Sequence, residues 1–326
     1  MNKKLALIIK LAVSILLVVI LIKVADLDLK KTFIAIKETD LKWFIICTMM
    51  FTATTFTNAY RWWVLARLLN YELSFFKAIR MYFEAMFANN FLPSNFGGDA
   101  IRAYDLGRND KTWLRAASTI LTERFFGFVM MFCMIPIGLV FMQFSPIGQQ
   151  VPNEVKLALL VAFGGLVIAL ASYQLWSKIP WNIVQKFNYA VHEYTRCTKS
   201  LKQVVFWTFM THMFLLAGNV CSAYALGVSL SEIPAWYWLI MTPAATLISF
   251  VVPALKGVGA KEASYIYFLG YLGITSDKGL AIGFIAFVAT LIASLPGISI
   301  AFKKIKINKV IEEEKLHEAE ELKKVK

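Results

Sequence analysis

Long, uninterrupted apolar segments constrain the fold of this chain more than any other feature of its sequence. From Leu5 to Ile22, for example, only Lys10 and Ser14 break the run. Such segments lack the period-2 or period-3.6 pattern that leaves a polar face for water. Of the 326 residues, 58% are hydrophobic and only 17% are charged, which is far from the composition of soluble domains. The sequence therefore predicts an all-α polytopic membrane protein.

The first apolar segment resembles a secretory signal peptide at its start, because Lys3 and Lys4 precede it. It is too long for the apolar core of a signal peptide, and residues 24–26 (Val-Ala-Asp) form a poor cleavage site. Its many Leu, Ile and Val side chains favour insertion by more than its one Lys opposes it. We expect the segment to remain as an uncleaved first membrane helix.

Several segments approach the roughly 20 apolar residues that a spanning helix needs. They are residues 5–23, 43–62, 118–142, 155–176, 204–226, 236–252 and 280–301. Two shorter apolar segments, 77–92 and 262–274, each adjoin a stretch rich in Pro and Gly. We expect about seven to eight spanning helices and two short broken or re-entrant segments. Residues 1–302 then form a membrane domain, and residues 303–326 a charged cytoplasmic helical tail.

The placement of Lys and Arg predicts the orientation, because positively charged loops stay in the cytoplasm. The basic stretches are 61–80, 100–117, 177–203 and 303–309, whereas the loops 143–154 and 227–235 contain no Lys or Arg. Both termini are therefore expected on the cytoplasmic side of the cell membrane, with the tail beside the anionic cytoplasmic leaflet. Alternation of the helices puts the loop 23–42 outside, although it contains both basic and acidic residues.

The densest polar stretch runs from Asn89 to Arg102 (NNFLPSNFGGDAIR) and is the first candidate site. Irregular backbone at membrane depth is tolerated only where it is buried in protein or lines a wet cavity. A helix that begins near Asp99 would point its positive end at the glycine turn, where an anion can bind. The guanidinium of Arg102 suits phosphate or carboxylate. The alternative is an ordinary cytoplasmic helix with Asp99 as its cap.

A second interruption, from Pro253 to Gly259, shares the Pro-x-x-x-Gly pattern of the first, and charged residues follow both. Paired interruptions in the two halves of a membrane protein indicate internal repeats with a binding site between them, and here they allow an inverted repeat. Ionisable residues in apolar segments usually face a bundle interior or a cavity. The candidate substrate-binding residues are Asn90, Pro93, Asn95, Gly97, Gly98, Asp99, Arg102, Glu123, Arg124, Gly257, Gly259, Lys261 and Glu262.

Other polar and aromatic residues have simpler interpretations. Arg80 and Glu84 are four residues apart and are expected to pair with each other. The clusters Trp62-Trp63 and Trp236-Tyr237-Trp238 are expected at the membrane interfaces. The cysteines and histidines are scattered, without C-x-x-C or H-E-x-x-H, so neither a metal site nor a cofactor is predicted. No catalytic residue is assigned.

Three segments, FLPSNFGGDAIRAYDLGR, TERFFG and VPALKGVGAKEAS, resemble the transmembrane flippase region of the lysylphosphatidylglycerol synthase family. In that family a Gly-Gly-Asp-x-x-Arg stretch, a Glu-Arg pair and a later Gly-rich stretch recur in this order. The first stretch falls here on Gly97 to Arg102, and the pair on Glu123 and Arg124. The third departs from the family pattern, because residues 254–256 are not small glycines and Lys261 replaces Arg.

The resemblance implies an all-helical fold that moves an anionic or modified lipid, a phospholipid or a polyprenyl-phosphate-linked lipid, between leaflets through a cavity between two halves. Full synthases carry a soluble aminoacyl-transfer domain after this region, and since the chain ends in a short tail, aminoacyl transfer is not expected. A transporter is favoured over an enzyme, because the chain also lacks an ATPase motif. A membrane glycosyltransferase is the alternative, because Asp26 and Asp28 resemble the D-x-D of enzymes that use polyprenyl-phosphate sugars. A non-catalytic envelope scaffold is the second alternative. The expected partner is a membrane lipid and not a nucleic acid, with a homodimer or a separate lipid-modifying enzyme left open.

Overall fold

The computed structural model describes residues 29–90, 97–107, 113–146, 148, 153–171, 194, 198–251 and 259–299. Helices and connecting turns make up these residues, with no strand among them, which confirms the all-α prediction. The helices are α1 (Leu29–Lys37), α2 (Leu41–Leu68), α3 (Phe75–Asn89), α4 (Gly97–Gly107), α5 (Trp113–Gln143), α6 (Asn153–Ala171), α7 (Thr198–Tyr224), α8 (Ala235–Val251), α9 (Ala260–Gly270) and α10 (Ser276–Ser294). A 3₁₀ turn (Leu295–Ile298) follows α10.

The long helices overlap the predicted spanning segments, except that the segment 5–23 lies outside the described residues. Among the residues that the structure describes, three stretches are long and apolar enough to cross a membrane: Arg115–Gln143, Leu201–Tyr224 and Ser276–Ile298. Ala235–Phe250 is a shorter apolar helix. The expected total of seven to eight spanning helices stays a prediction.

Side-chain caps determine where α2 and α3 begin. The Asp40 carboxylate accepts a hydrogen bond from the backbone N–H of Lys42 at 2.8 Å, and the Ser74 hydroxyl accepts one from Lys77 at 3.4 Å. The backbone N–H of Asp40 also donates to the carbonyl of Ala225, which joins the start of α2 to the end of α7. The predicted external loop 23–42 contains a short helix, α1, and the hydrogen bond from Asp40 to Ala225 attaches the end of this loop to the end of α7.

The order and lengths of the helices recur in the two halves of the described chain. Helices α2, α3, α4 and α5 have 28, 15, 11 and 31 residues, and α7, α8, α9 and α10 have 27, 17, 11 and 19. The short pair α4 and α9 follows the two Pro-x-x-x-Gly interruptions. The two segments predicted to be short and broken therefore contain short helices. The segment 77–92 overlaps α3, which precedes the first interruption, and the segment 262–274 overlaps α9, which follows the second.

Helices α2 and α7 pack along their length in opposite directions. The Cys47 thiol contacts the carbonyl of Gly218 near one end, and the hydroxyls of Thr57 and Thr211 lie 2.9 Å apart in the middle. Towards the other end, Tyr194, just before α7, donates to the carbonyl of Leu65. Rising residue numbers on α2 therefore meet falling numbers on α7, which is the arrangement that an inverted repeat requires.

Aromatic residues expected at the membrane interfaces are instead packed inside. Trp62, Tyr237 and Trp238 are each at most 2% exposed. Trp62 belongs to a buried cluster formed by the first-half helices with α7, and the other two belong to a cluster formed mainly by α5 and α8 to α10. The interface prediction is wrong for these three residues, because composition alone does not distinguish an aromatic ring that faces lipid from one that faces another helix.

Candidate functional site

A cavity of about 330 Å³ lies where the two halves meet, and charged residues that follow each of the two interruptions line it. Helix α4 contributes Asp99 and Arg102 to its lining, and α9 contributes Lys261 and Glu262. Arg124 of α5 and polar residues of α2, α3, α8 and α10 complete the polar part of the wall. The volume is at the lower end of small-molecule sites, which suits a headgroup rather than a whole lipid.

The start of α4 is fixed by a close approach to α3. The backbone N–H of Gly98 donates to the side-chain oxygen of Asn89 at 2.7 Å. A Cβ atom at Gly98 would lie 2.2 Å from the carbonyl oxygen of Ala85, so no larger residue fits there without a shift of the backbone. This contact places Asp99 in the first turn of α4, at the positive end of the helix.

Asp99 joins two arginines. Its Oδ1 accepts a hydrogen bond from Arg102 Nη2 at 2.6 Å, and its Oδ2 accepts one from Arg124 Nε at 2.6 Å. Arg124 Nη2 also contacts Oδ2. Because a buried guanidinium needs a counter-charge, this carboxylate holds both cations at the cavity wall. Arg124, a predicted substrate-binding residue, therefore lies in an ion pair at the cavity wall.

Glu123 forms the second bridge of the network, immediately behind the cavity wall. Its Oε2 accepts from Arg102 Nη1 at 3.0 Å, and its Oε1 accepts from Arg61 Nη2 at 3.1 Å and from the Tyr82 hydroxyl at 2.7 Å. Arg61, Arg102 and Glu123 are each at most 5% exposed. A continuous chain of alternating charges therefore runs from Arg61 to Arg124, through α2, α5 and α4.

Two aromatic rings enclose the guanidinium of Arg102. Its central carbon lies 4.8 Å from the centre of the Trp62 ring and 4.2 Å from that of Tyr82. The indole N–H of Trp62 donates to the Thr119 hydroxyl at 3.0 Å, which fixes the ring. Cation–π contacts of this kind hold a cation without using up its hydrogen-bond donors. Arg102 therefore has a fixed position, and its buried Nε has no hydrogen-bond partner among the described residues.

Sequence reasoning missed Arg61 and Tyr82 as parts of this network. Arg61 was counted among the positive-inside residues, yet it pairs with Glu123 and donates to the Thr208 hydroxyl at 3.1 Å. Tyr82 lies in an apolar segment and lacked any motif. The one available signal was that Arg61 comes before the end of an apolar run, where an ionisable residue usually faces a cavity or a partner.

The second motif forms its part of the site through the cap of α9. Gly259 has a φ of 87°, a left-handed conformation that favours glycine. Its N–H donates to Glu262 Oε2 at 2.7 Å. Glu262 thus caps the helix, whereas the Lys261 ammonium lies 5.8 Å from the centre of the Tyr265 ring. Within the described ranges, no carboxylate pairs with Lys261 and no group accepts a hydrogen bond from it.

The remaining predicted residues have different outcomes. Asn90 donates to the Ser294 hydroxyl at 2.9 Å, and its neighbour Asn89 lines the cavity instead. Arg80 pairs with Glu84 at 3.0 Å, as predicted. Within the part of the chain that the structure describes, no three His, Cys, Asp or Glu side chains are placed to hold a metal ion. The predicted residues that lie outside the described ranges are Pro93, Asn95, Gly257, Asp26 and Asp28.

A comparison with known families gives one match. Residues 7–297 match the model of a family described as "Lysylphosphatidylglycerol synthase TM region". This range includes both interrupted motifs, the Glu123-Arg124 pair and all the helices given above. No curated protein matches the chain.

Proposed function

The chain belongs to the lysylphosphatidylglycerol synthase TM region family, and from this premise we propose that it is a flippase-like membrane protein that moves a lipid between leaflets. Membership of the family indicates a membrane, lipid-related function. The observation that carries the proposal further is the central cavity, because helices from both motifs bring charged side chains to it. The transported lipid is anionic or modified, either a phospholipid or a polyprenyl-phosphate-linked lipid.

In this proposal the phosphate of the headgroup binds Arg102, Arg124 and Lys261. Asp99 and Glu123 have a different task, since each already accepts hydrogen bonds from two cationic side chains. They hold the arginines in position before the lipid arrives, so the site does not need to reorganise when the phosphate binds. Glu262 keeps α9, and with it Lys261, at the cavity.

The two halves provide the route between the leaflets. We infer that α2–α5 and α7–α10 are the members of an inverted repeat. In transporters of that type the substrate site lies at the repeat interface, and rocking of one half against the other opens it alternately to the two sides. The cavity, bounded by α2, α7 and the motif helices, lies at this interface.

A translocation assay tests the proposal directly. The full chain is reconstituted into vesicles that contain phospholipids with a fluorescent acyl chain, and a membrane-impermeant reductant quenches the outer leaflet. We expect faster loss of fluorescence than in protein-free vesicles, and a reduction of about tenfold for Arg102→Ala, which removes charge-assisted hydrogen bonds. Wild-type vesicles that match protein-free vesicles for every lipid class would contradict the proposal.

Two further variants separate a local effect from misfolding. Arg102→Ala leaves Glu123 and Asp99 with one cation fewer, so its thermal unfolding in detergent is measured alongside transport. Lys261→Gln removes a cation that has no ion-pair or hydrogen-bond partner among the described residues, and we expect slower transport with unchanged unfolding. Lys202→Gln is the matched control, because Lys202 is exposed on α7 and is not among the residues that line the cavity.

Variants of the same protein distinguish transport from the two alternative functions. A membrane glycosyltransferase would depend on Asp26, so that Asp26→Ala abolishes its activity and leaves transport unchanged. A scaffold for envelope enzymes would tolerate Arg102→Ala and Lys261→Gln alike. We further propose the cell membrane as the location, with both termini in the cytoplasm, and a homodimer or a lipid-modifying enzyme as protein partners.

A further inference from the structure

We infer that the cavity is selective for a headgroup with one negative charge and free hydroxyl groups, the chemistry of a phosphodiester that links a lipid to glycerol or to a sugar. This inference rests on the proposed function and specifies its substrate. It follows from two independent features of the cavity wall. One is the net charge of its side chains, and the other is that its threonine hydroxyls already donate their hydrogens to backbone carbonyls.

Among the described residues, the charged side chains of the wall have a net charge of plus one. Three cations, Arg102, Arg124 and Lys261, face two carboxylates, Asp99 and Glu262. Behind the wall, the network adds one cation, Arg61, and one anion, Glu123, which leaves the balance unchanged. A buried charge without a counter-charge is costly, so a monoanion is the ligand that neutralises this site.

Lys261 is the cation in excess. The guanidiniums of Arg102 and Arg124 both contact Asp99, and Glu262 accepts a hydrogen bond from the backbone N–H of Gly259. The ammonium of Lys261 lies over the Tyr265 ring and, among the described residues, has no ion pair and no hydrogen bond. Its three donors are therefore available to a phosphate oxygen, and a lysine binds such an oxygen as a compact point charge.

The hydroxyl groups of the wall act as acceptors. Thr54, Thr246 and Thr290 come from three different helices, and each donates its one hydrogen to the carbonyl four residues earlier, at 3.0, 2.7 and 2.7 Å. A threonine hydroxyl has a single hydrogen and two lone pairs, so these oxygens can only accept from a ligand. The wall therefore combines cationic donors from α4, α5 and α9 with neutral acceptors from α2, α8 and α10.

A monoanionic phosphodiester with hydroxyl groups satisfies both parts of the wall at once. Its phosphate neutralises the excess positive charge, and its hydroxyls donate to the threonine oxygens. A phosphocholine headgroup has no hydrogen to donate and no net charge, because its quaternary ammonium balances its phosphate. A lysyl-modified headgroup is cationic and would raise the positive charge of the site, whereas a phosphomonoester dianion would leave an unbalanced negative charge.

The test uses four fluorescent lipids with the same acyl chains in vesicles that contain the full chain. Phosphatidylglycerol has one negative charge and two hydroxyls, and phosphatidylmethanol has the same charge and none. Phosphatidylcholine is zwitterionic, and lysyl-phosphatidylglycerol is cationic. We expect phosphatidylglycerol to move about three- to tenfold faster than phosphatidylmethanol, the effect of one or two hydrogen bonds, and the other two lipids to be slower still.

Variants of Lys261 test the role of charge in lipid selectivity separately from the role of the hydroxyl groups. Lys261→Gln should remove most of the preference for phosphatidylglycerol over phosphatidylcholine, and Lys261→Arg should retain it. Equal rates for these two lipids with the wild-type chain overturn the charge part of the inference, and equal rates for phosphatidylglycerol and phosphatidylmethanol overturn the hydroxyl part. Faster transport of the lysyl lipid overturns both. If no lipid moves faster than in protein-free vesicles, the proposed function itself fails.

A last arm identifies the lipid anchor. A fluorescent polyprenyl-phosphate hexose has the same headgroup chemistry as phosphatidylglycerol, with one phosphodiester charge and several hydroxyls, on a different hydrocarbon chain. Faster transport of the hexose lipid assigns the site to a glycosyl carrier, and faster transport of phosphatidylglycerol assigns it to a glycerophospholipid. Both results support the inferred headgroup. If neither lipid is transported, the inference is contradicted.

Discussion

Glu123 is the side chain on which the buried charge network depends most directly. One carboxylate balances two guanidiniums, those of Arg61 and Arg102, and also accepts from Tyr82. We expect Glu123→Gln to lower the free energy of unfolding by about 3 kcal/mol, because it leaves a buried guanidinium without its counter-charge. Denaturant titration of the protein in mixed micelles measures this change.

The matched control for that substitution is Glu38→Gln. Glu38 is exposed in the turn between α1 and α2, so the same chemical change should shift the unfolding midpoint little. Equal, small shifts of the unfolding midpoint for both variants would mean that the network does not contribute to stability.

Gly98 tests the close approach of α4 to α3. Gly98→Ala places a methyl group 2.2 Å from the carbonyl oxygen of Ala85, and we expect a loss of about 1–3 kcal/mol in stability, typical of overpacking. Gly127→Ala on α5 is the control, since nothing lies within 4 Å of the added Cβ atom. The control should unfold at the same midpoint as the wild type or a slightly higher one, because Ala favours helix over Gly. A stable Gly98→Ala protein would contradict the tight contact.

Individual site residues were predictable where a motif marked them and unpredictable where only the fold brings them together. Asp99, Arg102, Glu123 and Arg124 were all named from sequence. Arg61 was not, because its partner Glu123 is 62 positions away and nothing in the chain connects them until α2 and α5 pack. Local spacing could predict the pair of Arg80 and Glu84 because four residues make one turn of a helix.

At the scale of a single element, α9 depends on the cap that Glu262 provides. Glu262→Gln keeps an oxygen that can accept from the Gly259 N–H, whereas Glu262→Ala removes it. We therefore expect Glu262→Ala to reduce hydrogen-exchange protection in the first turn of α9 about fivefold, consistent with the roughly 1 kcal/mol of a helix cap, and Glu262→Gln to keep most of it.

The neighbouring substitution provides the comparison for α9. Lys261→Gln lies in the same turn but removes no capping bond, so it should leave the exchange of α9 unchanged. If Glu262→Ala also exchanges as the wild type does, the cap is dispensable, and Glu262 acts through its charge alone.

The helices themselves were largely predictable, because long apolar segments at membrane depth leave no other structure that satisfies the backbone. Their ends were less so. Helix α2 continues to Leu68, past the predicted end at residue 62, and residues 63–68 are mostly apolar. The helix α1 within the loop 23–42 was missed, because this short segment has the charge density of a solvent-exposed connection.

For the whole molecule, the proposed transport depends on how the two halves are arranged. The sequence predicted the paired interruptions and an inverted repeat but gave no basis for saying which helices meet at the centre. The structure puts α2 and α7 there, antiparallel, with Thr57 and Thr211 near their midpoints. If the halves rock against each other, displacements are smallest at this crossing and larger at the ends of α3 and α10, where Asn90 contacts Ser294.

Reversible cross-links at these two places test whether the halves move. In a variant with its native cysteines replaced by Ala, Thr57→Cys with Thr211→Cys is joined by a short bis-thiosulfonate linker, and Asn90→Cys with Ser294→Cys by the same linker. We expect the central link to leave lipid translocation within about twofold of the unlinked protein. The peripheral link should reduce it at least about tenfold until a reductant is added, because rocking of the repeats requires that contact to open. If both links leave the rate unchanged, the lipid crosses without alternating exposure of the cavity, and if both abolish it, the axis of motion does not pass through the α2–α7 crossing.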